Sequence, residues 1–276
     1  MNRRNVLKGV AIGLGAITIA GSASFYYSIL NSQKRRPLVI GGSTTVKYFI
    51  EKVAEIYAAN SENIDLLVDG GRSYAGLVAL EQGGIDIAMM SRDIAASEER
   101  TNIHNYLIGI EAIALAVNEK CPISNISLSD AQKVFNRQIT NWKGLGGPDA
   151  PITLFSREDG STTKASIEQI LLKGGANNGW AQELRSPKEM AQEIILDPFS
   201  FGYLSAHNLN SGVKPLRIDE VEMNDKAIYL KIYPLTRELY LVIRDDTSLI
   251  AKEFLNFVLS NDGQKMLASI GSVRVR

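Results

Sequence analysis

Arg157-Glu-Asp-Gly-Ser-Thr-Thr163 gathers an arginine, a glycine and three hydroxyls just ahead of a run in which Ala165, Ile167, Ile170, Leu171 and Leu172 recur at helical spacing. The preceding Ile152-Thr-Leu-Phe155 is a short β-type run, so the segment is expected at a strand-to-helix junction. The chemistry open to it is oxyanion capture. A helix N-terminus carries unpaired backbone N–H groups and a partial positive charge. Ser161, Thr162 and Thr163 add hydroxyl donors, and Arg157 a two-pronged charged donor. A plain N-cap is the simpler use of Ser161 or Thr162, since both residue types favour that position.

Two further segments have the same build. Leu38-Val-Ile40 leads into Gly41-Gly-Ser-Thr-Thr45, and then Val46, Phe49, Ile50, Val53 and Tyr57 fall on one helical face. Ile64-Asp-Leu-Leu-Val68 leads into Asp69-Gly-Gly-Arg-Ser73 and a helical run through Leu77, Val78 and Leu80. Strands alternating with helices imply βαβ units and a mostly parallel sheet. Ligands of such sheets bind beyond the carboxyl ends of the strands, where these turns lie. Three donor-rich turns can converge there on one anion.

The rest of the sequence narrows the chemistry. The chain has 276 residues, 45% hydrophobic and 22% charged, as expected of an α/β protein with a sizeable core. Cys121 is the single cysteine, so neither an internal disulfide nor a cysteine metal cluster can form. His104 and His207 lack metal-ligand spacing and read as surface or capping residues; no metal or cofactor is expected. No Walker loop, dinucleotide fingerprint, nucleophile elbow or internal repeat is present. Trp142 and Trp180 read as packing residues, and Asp219-Glu-Val-Glu222 as a solvated face.

At the N-terminus, Met1-Asn-Arg-Arg-Asn-Val-Leu-Lys8 precedes an uncharged run over 9–30. Paired arginines before an apolar segment resemble a twin-arginine export signal, and the run is long enough to serve instead as an uncleaved anchor. Gly21-Ser-Ala23 offers a small-residue cleavage site. The whole chain has 30 basic and 30 acidic residues; six of the basic ones and no acid precede residue 37, leaving the remainder at a formal charge of −6. An acidic body argues against a nucleic-acid partner. Anion affinity must then come from short-range hydrogen bonds in a cleft.

At this point the motifs carry a family resemblance. Gly41-Gly-Ser-Thr-Thr-Val46, Gly71-Arg-Ser-Tyr-Ala-Gly76, Asp86-Ile-Ala-Met-Met-Ser-Arg92, Val134-Phe-Asn-Arg-Gln-Ile-Thr-Asn-Trp142, Arg157-Glu-Asp-Gly-Ser-Thr-Thr163, Phe201-Gly-Tyr-Leu-Ser205, Tyr233-Pro-Leu-Thr-Arg237 and Gly263-Gln264 stand in this order. With them the chain resembles the substrate-binding proteins of phosphate ABC transporters, the PstS-like family. The resemblance implies an α/β, two-lobed periplasmic-binding-protein-like fold with the ligand in the interlobe cleft. It implies a non-enzymatic, extracytoplasmic monomer that captures inorganic phosphate and delivers it to permease subunits in the membrane. By motif position it assigns ligand binding to Ser43, Thr44, Thr45, Ser73, Ser91, Arg92, Arg157, Ser161, Thr162 and Thr163. Thr162 stands where the family usually has a second glycine. Arg92 stands where some members place an aspartate that accepts a proton from the ligand, a role open here to Asp93 or Asp69.

The expected division is an export or anchor segment with linker over 1–36, one lobe over 37–117 plus 233–276, and a second over 118–232, with 144–151 as a surface loop and 249–259 as a helix of the first lobe. A membrane-anchored anion sensor or signalling ectodomain, or a binder of another oxyanion, is the alternative reading.

Overall fold

Each of the three donor-rich segments joins a strand to a helix. The computed structural model describes residues 37–61, 64–175 and 179–275; the segment expected to direct export, 1–36, lies outside them. Strand β1 (Leu38–Ser43) runs straight into α1 (Thr44–Ala59), and β2 (Leu66–Gly71) precedes α2 (Ser73–Glu81) and β3 (Ile87–Met90). The strands outlast their apolar runs because the glycines stay in the ladder. Gly42 pairs with Gly70 on one side and Met89 on the other. Its φ is +128°, and a Cβ there would stand 2.4 Å from the Met89 carbonyl oxygen, so only glycine fits.

The chain then crosses through β4 (Ile103–Asn118), followed by β5 (Asn125–Ile126), α3 (Leu128–Phe135) and β6 (Thr153–Arg157). Helix α4 (Thr162–Ser166) continues as a π turn over Ile167–Leu171. Next come β7 (Gln182–Leu184), α5 (Pro187–Leu196), β8 (Ser200–Ser205), a 3₁₀ turn over Ala206–Asn208, β9 (Val213–Pro215), β10 (Arg217–Ile218) and α6 (Asp225–Tyr229). The return is β11 (Thr236–Arg244), α7 (Leu249–Leu259) and α8 (Asn261–Ser269).

One sheet in the order β2-β1-β3-β11-β4-β8-β6-β7 links the two lobes, with β9 also on β4 and a separate β10-β5 pair. β4 is the shared strand. It pairs antiparallel with β11 up to Ala112, then antiparallel with β8 from Ile113. That exchange of partners falls at Ala112/Ile113, near the 117/118 division expected from the sequence. The outer pairs β1–β2, β1–β3, β6–β8 and β6–β7 are parallel, but β11 and β4 run against their neighbours. The sheet is therefore mixed rather than mostly parallel, because the chain crosses and returns through adjacent strands.

Both faces of each half are covered, as period-2 alternation requires. Met89 and Leu241 pack under Phe49, Ile50 and Val53 of α1 and Phe254 of α7, while Met90 and Val242 meet Leu77 and Leu80 of α2. In the other half Leu115, Phe201 and Tyr203 face Phe135 and Trp142, and Ala116 and Leu204 face Met190 and Ile194 of α5. Burying such side chains contributes about 1.5–3 kcal/mol each. Trp142 donates to the Phe199 carbonyl at 2.9 Å and Trp180 to that of Phe135 at 3.1 Å; both tryptophans pack. Asp219, Glu220 and Glu222 are exposed, as expected of a solvated face.

Candidate functional site

Among the described residues serines cap most of the α-helices that they precede, and one that does not is informative. Ser127, Ser186, Ser248 and Ser260 each accept the backbone N–H that their helix leaves unpaired. Ser43, at the head of the 16-residue α1, does not. The residue is 1% exposed, and its buried hydroxyl makes no hydrogen bond among the described residues; Thr45, 6% exposed, likewise has a buried hydroxyl without a partner among them. A buried donor without a partner costs about 1–3 kcal/mol, so such groups mark a place where another molecule supplies the acceptor. The first turn of α1 adds the positive end of its dipole. Gly76 of α2 holds this turn against its neighbour: a Cβ there would stand 2.7 Å from the Cα of Gly42.

The second turn faces it. Ser161 caps α4, accepting from Lys164 N at 3.3 Å, so the simple capping role is real. Its O–H can still donate. Arg157 ends β6, where its N–H donates to the Tyr203 hydroxyl at 2.9 Å. The guanidinium is pinned from behind: Nε donates to the Leu184 carbonyl at 3.1 Å and Nη2 to that of Arg185 at 2.9 Å. Nη1 makes no hydrogen bond among the described residues. Burial lowers the Arg157 pKa somewhat, partly offset by Tyr203 and nearby carboxylates.

Two adjoining cavities open between these turns. The larger, about 770 Å³, is walled by Ser43, Thr44, Ser73, Ser91, Arg92, Ser161 and Thr162 among others. The smaller, about 350 Å³, is walled by Thr44, Thr45, Arg157, Ser161, Thr162 and Thr163. All ten residues singled out from the sequence line one or the other of these two cavities, which share Thr44, Ser161 and Thr162. In the larger, Ser73 and Ser91 hold each other, with the Ser91 N–H donating to Ser73 Oγ at 3.2 Å. Arg92 is differently placed from Arg157. Both its Nη atoms donate to Glu98 at 2.7 Å, a bidentate pair that raises the Arg92 pKa and lowers that of Glu98. The two acids considered as proton acceptors are engaged too. Asp69 accepts from Gly70 N at 2.8 Å, and Asp93 accepts from Ile94 N at 2.8 Å and from Asn105.

Several cleft residues escaped sequence reasoning. Lys164 lines the larger cavity with its Nζ 2.8 Å from Asp159 and 3.1 Å from Glu183; burial opposes its charge, but these bonds outweigh it and hold the pKa at about 12. Tyr48, Ser205, His207 and Arg237 line the smaller one. His207 is not the surface or capping residue expected from its lack of motif: its side chain is 12% exposed and meets Glu111. His104 does lie on the surface, 2.6 Å from Asp245. Tyr48 stands one helical turn beyond Thr44 and Arg237 closes a quoted motif, so spacing held a signal for both. His207 had none.

Residues 10–262 match the PBP superfamily domain. The chain belongs to the PBP superfamily. Phosphate-binding protein PstS of Borreliella burgdorferi is 26% identical over 269 residues, covering 92% of this chain and 96% of that protein. The same superfamily architecture appears in an ABC-type phosphate transport receptor from Vibrio cholerae, with a TM-score of 0.80 and 26% identity over 86% of this chain and 99% of the other. A protein from Clostridium perfringens described as a phosphate ABC transporter substrate-binding protein, with phosphate bound, has a TM-score of 0.74 and 27% identity over 87% and 100%.

Proposed function

We propose that this PstS-like chain is an extracytoplasmic substrate-binding protein that captures inorganic phosphate between its lobes and delivers it to an ABC transporter. One observation carries the reading: the buried, unpartnered hydroxyls of Ser43 and Thr45 at the head of α1 share cleft walls with Arg157, Ser161, Thr162 and Thr163. Hydrogen-bond donors from a helix N-terminus and a pinned arginine suit a tetrahedral oxyanion. The names of the relatives point to the same ligand and the same transport role.

The function is binding rather than catalysis: Ser43, Thr44, Thr45, Ser73, Ser91, Arg157, Ser161, Thr162 and Thr163 hold the ligand, with Arg92 contributing through its Glu98-paired guanidinium. Neither a metal nor a cofactor takes part. The protein works as a monomer docking on permease subunits, after export directed by Arg3 and Arg4, with residues 9–30 either cleaved or kept as an anchor. No helix among the described residues is long and apolar enough to cross a membrane.

Calorimetry with phosphate, arsenate, sulfate and molybdate tests the reading. Phosphate heat is expected, and its absence would overturn the assignment. Sulfate is the informative competitor, because it has no proton to give and a site with a working acceptor rejects it. Sulfate binding within tenfold of phosphate would show that no such acceptor operates.

A further inference from the structure

The ligand set leaves unexplained a buried charge cluster at the base of the cleft. Glu111 of β4 has no exposed surface. Burial pushes its pKa up, but Arg237 and His207 outweigh it and keep the carboxylate ionised. Arg237 of β11 lies 2.6 Å and 2.7 Å from Glu111 Oε2 through Nη2 and Nε, and donates to Ser205 at 2.9 Å and Ser166 at 3.2 Å. The other Glu111 oxygen lies 2.8 Å from Nδ1 of His207, a close approach of the two groups without hydrogen-bond alignment. Above it, the His207 ring stacks on Tyr48 with centroids 4.1 Å apart and planes 12° apart, and meets the Phe49 ring edge-on at 5.6 Å. Behind it sits Gly271, at φ +97°, where a Cβ would come within 2.6 Å of His207 Cβ.

These contacts cross the lobes. By the division expected from the sequence, His207, after β8, belongs to the second lobe, and Tyr48 and Phe49 of α1, Glu111 of β4 and Gly271 beyond α8 to the first. One side chain of the second lobe is thus socketed in the first. Its floor is a buried carboxylate, and one wall is the ring one turn beyond Thr44. An anion held by both lobes needs the head of α1 at a fixed distance from Arg157 and α4. Where the competent arrangement is only a fraction of the population, the apparent affinity falls by that fraction.

We propose that His207 is a positioning residue: seated between Tyr48 and Glu111, it sets the second lobe against the head of α1, so that the donors of both lobes reach one anion. The proposal rests on the phosphate-binding reading for its ligand but not for its geometry.

Pulsed electron paramagnetic resonance on the full chain tests it, with labels at Glu55→Cys and Lys143→Cys in a Cys121→Ser background. Without ligand, wild type is expected to give one narrow interlobe distance distribution, and His207→Ala a broad one. Phosphate affinity is expected to fall about fivefold or more in His207→Ala. His207→Asn keeps an amide nitrogen facing Glu111 and is expected to recover part of the narrowing; it also serves if the alanine variant folds poorly. Equal ligand-free distributions in wild type and both variants would overturn the proposal, and would do so even if His207→Ala bound phosphate weakly, since a direct ligand contact alone predicts that pattern. If wild type itself binds no phosphate, the functional reading falls, and the ligand-free distances still decide the joint.

Discussion

Ser43 and Arg157 show how stability is exchanged for binding at single residues. The Ser43 hydroxyl is buried without a partner among the described residues, so it lowers the stability of the ligand-free protein. Ser43→Ala is expected to raise the ligand-free melting temperature by a few degrees while weakening phosphate binding, opposite signs that thermal unfolding and calorimetry read separately. A fall in both would mean the hydroxyl has a structural partner. Hydrogen bonds to charged groups are worth about 1.5–3 kcal/mol against about 0.5–1.5 kcal/mol for neutral ones. Arg157→Ala is therefore expected to weaken binding by about tenfold or more. Normal binding by that variant would place the anion elsewhere. Thr162→Gly, which restores the pattern the resemblance leads one to expect, should be tolerated, with affinity equal to or tighter than wild type.

At the scale of elements, what the sequence revealed and what it hid divide along a physical line. The strand–turn–helix junctions were legible because apolar periodicity and Gly/Ser/Thr turns are local signals; the helix over 249–259 appears with the same bounds. The extent of β1 and β2 was not, since glycines that usually break a strand are held here by neighbours on both sides of Gly42. Nor was the run of β4 through both lobes, or the seat of His207, which depend on pairings between distant segments. Tyr203 is a further case. From β8 its hydroxyl accepts the Arg157 N–H at 2.9 Å and lies 3.0 Å from Ser156 Oγ, fixing the end of β6. Tyr203→Phe leaves that N–H without its partner in a part-buried site and is expected to cost about 1 kcal/mol or more. Chemical denaturation measures the cost, and a neutral result would mean that β6 is held without this bond.

For the whole molecule, the interlobe cluster ties stability to pH. Glu111 is held below its ordinary value of 4.5, so its contribution is present above that value and is lost as pH falls through the lower folded-state value. Breaking a buried pair costs about 3–5 kcal/mol. Glu111→Gln is therefore expected to be less stable than wild type at pH 7, with the gap narrowing on acidification; a gap that does not change with pH would contradict an ionised Glu111. Replacing Arg3 and Arg4 with lysine should block export if the twin-arginine route is used. The most direct test of the central claim is a crystal structure of the Leu38–Arg276 unit grown with inorganic phosphate. One phosphate is expected in the cleft, accepting hydrogen bonds at about 2.5–3.2 Å from the Ser43 and Thr45 hydroxyls at the head of α1, and from Arg157 and Ser161 across it. Phosphate bound outside that cleft, with the Ser43 and Thr45 hydroxyls still unpaired, would contradict the account.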